Sequence, residues 1–300
     1  MLEAESPGWG ESAEELAYAD ATHDRRYHHA TFVAEETSGD SPLVVGVAFV
    51  GHDVLAHREG KFEINLVVRP DWQGRGVGKA LYVALLERLA PIWPQELVAM
   101  VGHDQPRPLR FLAERGFVEC WRRVDWQLNT LTFDFTPYAE LEERLNREGI
   151  TIKRYTELAA DPTCLVKWYE LDWALWQSIP YGQTVAKRSF EQFVAGEVNH
   201  PNFLPDGCFF ALAEDELIGY SNLTTHEQGL NTEMTGVLPA YRGRSVATLL
   251  KLYGIRYAQA QGVDRLDTEN DAVNHAMIAL NQKLGFVQTG ARLRFVKQMA

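Results

Sequence analysis

Cysteine is scarce in this sequence, since its 300 residues include only Cys120, Cys164 and Cys208. An odd, widely spaced set argues against a disulfide framework, and without a Cys-x-x-Cys pair nothing indicates zinc. We therefore expect a reducing compartment, the cytoplasm. No run of about 18 apolar residues occurs, so no membrane-spanning helix is predicted. The N-terminus, MLEAESPGWGESAEE, is acidic and lacks an apolar segment, so it does not predict a signal peptide.

Positive charge is also in short supply. The chain has 29 Lys and Arg against 41 Asp and Glu, which gives a formal net charge of −12. A nucleic-acid binder needs a basic surface to neutralise phosphates, so we predict no nucleic-acid partner, and no membrane partner either. The nine histidines contain no His-Glu-x-x-His motif, and we predict no metal site. An acidic surface weakly favours a cationic ligand or substrate.

The sequence contains an internal repeat. Residues 69–81 (RPDWQGRGVGKAL) resemble residues 238–250 (LPAYRGRSVATLL), and residues 114–117 (ERGF) resemble residues 283–286 (KLGF). Gln73 to Phe117 and Arg242 to Phe286 both span 44 positions, so a single offset of 169 aligns both motifs without a gap. Two motifs that recur at one spacing indicate two copies of one structural unit.

Each copy has the same predicted order of elements: strand, loop, helix, strand, helix. The predicted strands are residues 62–68 and 97–101 in the first copy and 232–237 and 265–268 in the second. The helix after each loop is amphipathic, with apolar residues at steps of three or four. Gly116 and Gly285 are the expected C-terminal ends of the last helices. This order predicts an α/β unit.

The repeat sets the expected domain limits. We predict a first domain at residues 1–136, a linker helix at 137–149 and a complete second domain at 150–300. The second copy begins with a predicted strand at residues 150–155, and the first copy has no counterpart to that strand. The first domain is therefore expected to be truncated at its N-terminal side.

Each glycine-rich loop leads into a helix, and this arrangement predicts an anion site. The free N–H groups of the first helical turn converge there, and the helix dipole favours negative charge. A Walker loop needs G-x-x-x-x-G-K-[ST], but Gly74 to Gly78 is one residue short and Ala80 follows Lys79. The G-x-G-x-x-G dinucleotide fingerprint is absent from both copies.

The loops instead resemble the [QR]-x-x-G-x-[GA] pyrophosphate loop of GNAT acetyltransferases. Gln73, Gly76 and Gly78 match it fully, whereas the second copy has Ser245 in place of the central glycine. Residues 270–286 resemble the second cofactor motif of the family, and residues 104–117 are a weaker version of it. The resemblance covers roughly residues 30–125 and 150–298.

The resemblance implies an α/β (α+β) fold with two tandem GNAT domains. Each would have a mixed, mostly antiparallel sheet with a splayed parallel pair of strands and flanking helices, and acetyl-CoA would lie between the splayed strands. In the first copy, the implied cofactor-binding residues are Val67, Val68, Gln73, Gly74, Arg75, Gly76, Val77, Gly78 and Lys79. In the second copy, they are Gly236, Val237, Arg242, Gly243, Arg244, Ser245, Val246, Ala247, Thr248, Asn270, Asn274 and Asn281.

The family mechanism implies direct attack of an amine on the thioester, without an acyl-enzyme. A base must take the amine proton, and Glu233 and Glu63 are the candidates because they lie on the strands beside the cofactor slot. The family often has a tyrosine that protonates the leaving thiolate, but Leu112 and Asn281 stand at that position here. The proton donor is therefore left open, with water as one candidate.

We predict an acetyl-CoA-dependent N-acetyltransferase that acts on a small-molecule amine, with the second copy as the catalytic one. A non-catalytic acyl-CoA sensor or structural module is the alternative. An NTPase or dehydrogenase is a third hypothesis, which would require nucleotide binding that CoA does not displace. The identity of the acceptor and the oligomeric state, including a homodimer, stay open.

Overall fold

The computed structural model describes residues 12–39, 41–53, 57–180, 185–226 and 229–299. The chain divides into two compact units. Unit 1 consists of Met1–Arg122 together with Ala291–Ala300, and unit 2 consists of Arg123–Gly290. No helix within the described ranges is long and apolar enough to span a membrane.

Unit 1 has a sheet in the order β1-β2-β3-β4-β11. Its helices are α1 (Ala13–Thr22), α2 (Val77–Leu89) and α3 (Pro106–Ala113). Its strands are β1 (His29–Glu36), β2 (Leu43–Gly51), β3 (Lys61–Val68), β4 (Glu96–Gly102), the start of β5 (Val118–Asn129) and the end of β11 (Val287–Gln298). Strands β3 and β4 are parallel and are joined through α2, while the other pairs in this sheet are antiparallel.

Unit 2 has the order β5-β10-β9-β8-β7-β6. Its strands are β6 (Ile150–Arg154), β7 (Phe203–Ala213), β8 (Glu216–His226), β9 (Gly229–Val237) and β10 (Arg265–Asp271), with most of β5. Its helices are α4 (Leu141–Arg147), α5 (Tyr155–Leu158), α6 (Cys164–Trp176), α7 (Phe190–Phe193), α8 (Val246–Ala260) and α9 (His275–Lys283). Here β9 and β10 form the parallel pair, and the remaining pairs are antiparallel.

The compact units do not follow the limits of the sequence repeats. Strand β5 follows α3 of the first repeat, yet it pairs with β10 in unit 2, from Asn129↔Arg265 to Arg123↔Asp271. Strand β11 ends the second repeat, yet its last residues pair with β4 in unit 1. Each unit therefore completes its sheet with a strand from the other repeat. The domain limits 1–136 and 150–300 stay a prediction about the repeats, and α4 lies inside the predicted linker.

Apolar helix faces hold each sheet in place. In unit 1, Leu81, Leu85 and Leu89 of α2 are at most 4% exposed and share a cluster with Phe62 and Leu97. Burial of each such side chain contributes roughly 1.5–3 kcal/mol. In unit 2, α8 packs on one face of the sheet and α6 on the other, in two separate clusters. Strand β1 has the position in the sheet order of unit 1 that β7 has in unit 2. The described part of unit 1 therefore has no counterpart to β6.

Candidate functional site

The loop of unit 1 has the backbone that the sequence predicts for an anion site. A short 3₁₀ turn, Pro70–Trp72, follows β3, and α2 begins at Val77. Gly74 and Gly76 have φ of +78° and +89°, a region that favours glycine. No side chain caps the helix at Gly76, and a Cβ at Gly74 or Gly76 would meet no atom within 4 Å. The first-turn N–H groups are thus left for a ligand.

The loop of unit 2 has the same shape with one difference in sequence. Gly243 has φ of +77°, and Ser245, which precedes α8, has φ of +71°. A non-glycine residue in this region is uncommon and strained. The serine therefore keeps the backbone of the glycine that it replaces, at a conformational cost of about 1–2 kcal/mol.

The first residue of each loop motif ties the loop to the end of its strand. In unit 1, Gln73 Nε2 donates to the Val68 carbonyl at 3.0 Å, and Gln73 Oε1 accepts from Arg107 Nη1 at 2.8 Å. In unit 2, Arg242 Nε donates to the Val237 carbonyl at 2.9 Å. Gln73 and Arg242 are thus positioning residues for the turn.

The loop arginines stack on the aromatic residues that precede them. The Arg75 guanidinium carbon lies 4.8 Å from the centre of the Trp72 ring, and that of Arg244 lies 5.6 Å from the centre of the Tyr241 ring. Such cation–π contacts stabilise the guanidinium by about 0.5–1 kcal/mol at exposed sites. Both arginines are thus held beside the loop.

The predicted splayed parallel pairs are present in both units. Strands β3 and β4 pair from Lys61↔Glu96 to Ile64↔Ala99 and not beyond, although β3 continues to Val68. Strands β9 and β10 pair only as far as Thr232↔Thr268, and β9 continues to Val237. Within the described part of the chain, the backbone beyond these last pairs has no partner strand across the gap. It can therefore pair with an extended polar ligand.

A cavity lies against each gap. Cavity A, in unit 1, has a volume of about 410 Å³ and lies among β3, β4, α2 and α3. Cavity B, in unit 2, has a volume of about 380 Å³ and lies among β9, α8, α9 and the end of α6. Of the predicted cofactor residues, these line cavity A: Val68, Gln73, Gly74, Gly76, Gly78 and Lys79. These line cavity B: Gly236, Val237, Arg242, Gly243, Ser245, Val246, Ala247, Thr248 and Asn274.

Several predicted residues do not line the cavities. Val67, Arg75, Val77 and Arg244 are outside both linings. Asn270 and Asn281 also lie outside both linings, and their contact with the cofactor stays a prediction. Asn281 is fully buried, and its Nδ2 donates to Asn270 Oδ1 at 3.1 Å, so this pair supports the end of β10. Leu112 lines cavity A, but its side chain has no proton to donate.

Glu233 lies at a β-bulge beside the gap in unit 2. Asn222 pairs with Met234 and Leu223 with Thr232, so Glu233 is the extra residue on β9. The Met234 N–H donates to Asn222 Oδ1 at 3.1 Å. The Glu233 side chain is exposed, and its Oε1 accepts from Thr224 Oγ1 at 2.8 Å and from Asn231 Nδ2 at 2.7 Å. Bulges redirect side chains and often occur next to active sites.

Glu63 is not the counterpart of Glu233. The offset of 169 places Glu63 at Thr232 and Ile64 at Glu233. The pairing of β2 with β3 is regular from Gly51↔Glu63 to Gly46↔Val68, so unit 1 has no bulge at this point. Glu63 Oε1 accepts from Arg294 Nη2 at 2.6 Å. Burial and the charge of Asp53 raise the pKa of Glu63, against the opposing charges of Arg294 and Lys61.

Sequence reasoning missed a buried ionic network in unit 2. Arg188 Nη2 donates to Asp172 Oδ2 at 3.0 Å and to Glu197 Oε1 at 2.9 Å, and the Tyr220 hydroxyl donates to Asp172 Oδ1 at 2.6 Å. Burial raises the pKa of Glu197, although Arg188 opposes the shift. The only sequence indication was a carboxylate, Asp172, on the apolar face of α6 between Trp168 and Leu175.

A buried lysine on α8 was also missed. Lys251 is 3% exposed, its Nζ has no hydrogen-bond partner among the described residues, and it lies 4.9 Å from the centre of the Phe286 ring. Burial lowers the pKa of Lys251 to about 7. The repeat gave an indication that this position is buried, because the counterpart of Lys251 in the first copy is an aromatic residue, Tyr82.

We expect Lys251→Met to stabilise the protein. Burial of the charged amine lowers the free energy of unfolding by up to about 5 kcal/mol. The pKa of Lys251 falls from the ordinary 10.5 to about 7, and each pKa unit corresponds to about 1.4 kcal/mol. This penalty is full below pH 7 and disappears as the pH rises toward 10.5. Urea unfolding at pH 6.5 and 9.5 should show a larger gain at pH 6.5. An equal gain at both pH values would show that Lys251 is not buried as a cation.

Comparisons with known proteins agree on one family. The model of the acetyltransferase (GNAT) family matches residues 1–117 and 165–286. Mycothiol acetyltransferase of Streptomyces scabiei is 27% identical over 225 residues, which is 74% of this chain and 67% of that protein. Mycothiol acetyltransferase of Thermobispora bispora is 25% identical over 298 residues, which is 95% of this chain and 94% of that protein.

A solved structure supports the tandem architecture. The tandem GNAT protein from the clavulanic acid biosynthesis pathway has a TM-score of 0.72 to this chain at 20% identity, and covers 99% of this chain and 91% of its own. At this identity the similarity establishes the fold alone.

Proposed function

Because the chain belongs to the acetyltransferase (GNAT) family, we propose that it transfers an acetyl group from acetyl-CoA to the amine of a small molecule, and that unit 2 catalyses the transfer. The amine attacks the thioester carbonyl directly within a ternary complex. Attack within a ternary complex needs positioning above all, because correct placement of two reactants supplies much of the rate.

Acetyl-CoA fits the residues of both units. A diphosphate needs several N–H donors and room for close approach, and both loops supply these through glycine or serine at positive φ before an uncapped helix. The extended arm of the cofactor needs backbone groups without a partner strand. Among the described residues, β3 and β9 have such groups beyond Ile64 and Thr232 on the edge that faces the gap, apart from the Val68 and Val237 carbonyls that Gln73 and Arg242 bond. In unit 2, the backbone N–H of Val237 is the proposed donor toward the cofactor, because the neighbouring N–H groups of Gly236 and Leu238 point to β8.

The observation that carries the catalytic proposal is the bulge at Glu233. It occurs one residue past the last pair of the parted strands, where the acyl group would lie, and it presents a solvent-accessible carboxylate. The Thr224 and Asn231 side chains hold that carboxylate by donating to one oxygen and leave the other oxygen to accept a proton. Glu233 is therefore the proposed general base, acting directly or through one water.

No side chain is proposed as the general acid. Asn281 is buried in a bond to Asn270, and an amide does not donate a proton to a thiolate. A thiolate with a conjugate-acid pKa near 8.5 leaves readily, and solvent can protonate it.

The names of the relatives suggest the first acceptor to test. Incubation of the full chain with acetyl-CoA and mycothiol that lacks its acetyl group, followed by mass spectrometry, should yield the acetylated product. A panel of other primary amines should be assayed in parallel. If acetyl-CoA binds and no acceptor in the panel gains an acetyl group, the sensor alternative replaces this proposal.

A further inference from the structure

Strand β1 lies at the outer edge of the sheet of unit 1. Within the described part of the chain, its eight residues, His29–Glu36, pair with β2 on one side and with no strand on the other. In unit 2, the strand in the same position, β7, also pairs on its other side, with β6 from Ile150↔Ala213 to Arg154↔Phe209. The fold therefore accepts an antiparallel strand at the edge that β1 leaves open.

The hydrogen bonds to β2 determine which backbone groups of β1 lie on this edge. The His28 carbonyl accepts from the His52 N–H at 3.1 Å, so the backbone of His28 faces β2. Backbone direction alternates along a strand, so Ala30, Phe32 and Ala34 also face β2. The N–H and C=O groups that point away from β2 are those of His29, Thr31, Val33 and Glu35. Such a row of groups is a template for a further strand.

The edge of β1 lacks the features that usually protect an edge strand, which are short length, proline, lysine and a bulge. Its sequence, HATFVAEE, contains no proline, lysine or arginine, and the irregularity in its pairing with β2 adds a residue to β2, Val45. Val33 is 52% exposed on this strand. The outer strand of unit 2, β6, has only five residues and ends in Lys153 and Arg154. The edge of β1 is therefore the more open of the two.

The sequence of β1 is complementary to itself in antiparallel order. Residues that face each other across an antiparallel pair have the same orientation, so odd-numbered residues face odd-numbered residues. If Phe32 faces Phe32 of a second copy, then His29 faces Glu35 and Thr31 faces Val33. A basic and an acidic side chain meet at each end, and β-branched side chains meet between them. A shift of two residues in either direction separates His29 from Glu35.

We propose that two copies of this chain associate through β1, so that each copy supplies to the other the strand that β6 supplies in unit 2. The two strands pair about a two-fold axis at Phe32, with His29 of each copy opposite Glu35 of the other. This pairing uses both open edges, so the assembly closes as a dimer. One strand pair buries less area than a standard interface, so we expect a dissociation constant on the order of 10–100 µM.

Sedimentation velocity of the full chain, from about 1 to 300 µM, should show monomer converting to dimer. Val33→Pro removes an N–H that points away from β2 and leaves the bonds to β2 in place. Because the two-fold axis doubles each change, two hydrogen bonds are lost, and the dissociation constant should rise at least about 30-fold. Val33→Thr keeps the N–H and the β-branched shape, so this matched control should dimerise as wild type does.

A cysteine at the axis tests the register of the two strands. Phe32→Cys places two sulfur atoms across a pair whose Cα atoms would lie about 4.5 Å apart, so mild oxidation should link two copies through a disulfide. Ala34→Cys lies on the same face of the strand but faces Ala30 of the second copy, so it should stay unlinked. The wild-type chain, with Cys120 exposed, gives the background of linkage.

Three results would overturn the proposal: a chain that stays monomeric at about 300 µM, a dimer that Val33→Pro leaves unchanged, or linkage of Ala34→Cys without linkage of Phe32→Cys. The first would indicate that another segment of the chain covers the edge. Circular dichroism and melting curves of each variant show whether the fold is intact. None of these measurements involves acetyl transfer, so the proposed function and the dimer can fail independently.

Discussion

Replacement of Glu233 by glutamine is expected to lower kcat for acetyl transfer in unit 2 by about 10²–10⁴-fold. Glutamine keeps the size of the side chain and the bonds from Thr224 and Asn231, but it cannot take a proton from the amine. Because Glu233 lies outside the lining of cavity B, KM for acetyl-CoA should stay within about twofold of wild type. Steady-state kinetics with the acceptor at saturation measures both constants.

A matched control separates the role of this carboxylate from a general effect of charge. Glu216 is exposed at the start of β8, and Glu216→Gln removes the same charge from the same unit. We expect this variant to keep the wild-type kcat. If Glu233→Gln keeps it as well, another group takes the amine proton and the bulge has only a structural role.

The second large effect is expected from valine in the turns. Gly76 has φ of +89° and Ser245 has φ of +71°, and a β-branched residue disfavours both. Relief of that strain would move the N–H groups away from their converging arrangement. We expect Gly76→Val and Ser245→Val each to weaken CoA binding about 100-fold in its own unit, or about 2.7 kcal/mol. Titration calorimetry should show one site lost in each variant.

Gly262 provides the control for strain alone. It follows α8, it has φ of +70°, and a Cβ there would meet no atom within 4 Å. Gly262→Val imposes a similar conformational cost far along the helix from the loop, so it should lower stability and leave both CoA sites intact. If it also abolishes a site, the loss in the turn variants reflects unfolding and not the loop.

The local features of both sites were predictable from the sequence. The spacing of Gln73 and Phe117, repeated in Arg242 and Phe286, fixed the loop and the two flanking elements in each copy. These features depend on neighbouring residues, because glycine at positive φ, a helix start and an alternating strand are each encoded within a few positions. The parted strands followed from the family resemblance and are present in both units.

Features that depend on distant pairing were not predictable. The sequence of β5 does not specify whether it pairs with β4 or β10, because both partners offer the same backbone groups. The bulge at Glu233 depends on the pairing of β9 with β8 and on the hydrogen bond from the Met234 N–H to Asn222 Oδ1. Neither can be predicted from the sequence of β9 alone. Asn281 matched a motif, yet its burial against Asn270 depends on how α9 packs.

The number of CoA molecules that bind to one chain tests most directly whether its two strand–turn–helix elements each bind a diphosphate. Calorimetric titration of the full chain with CoA, at concentrations up to the millimolar range, measures this number. Two such elements predict a stoichiometry of two, reduced to one in Gly76→Val and in Ser245→Val. A stoichiometry below two for the wild-type chain would contradict it.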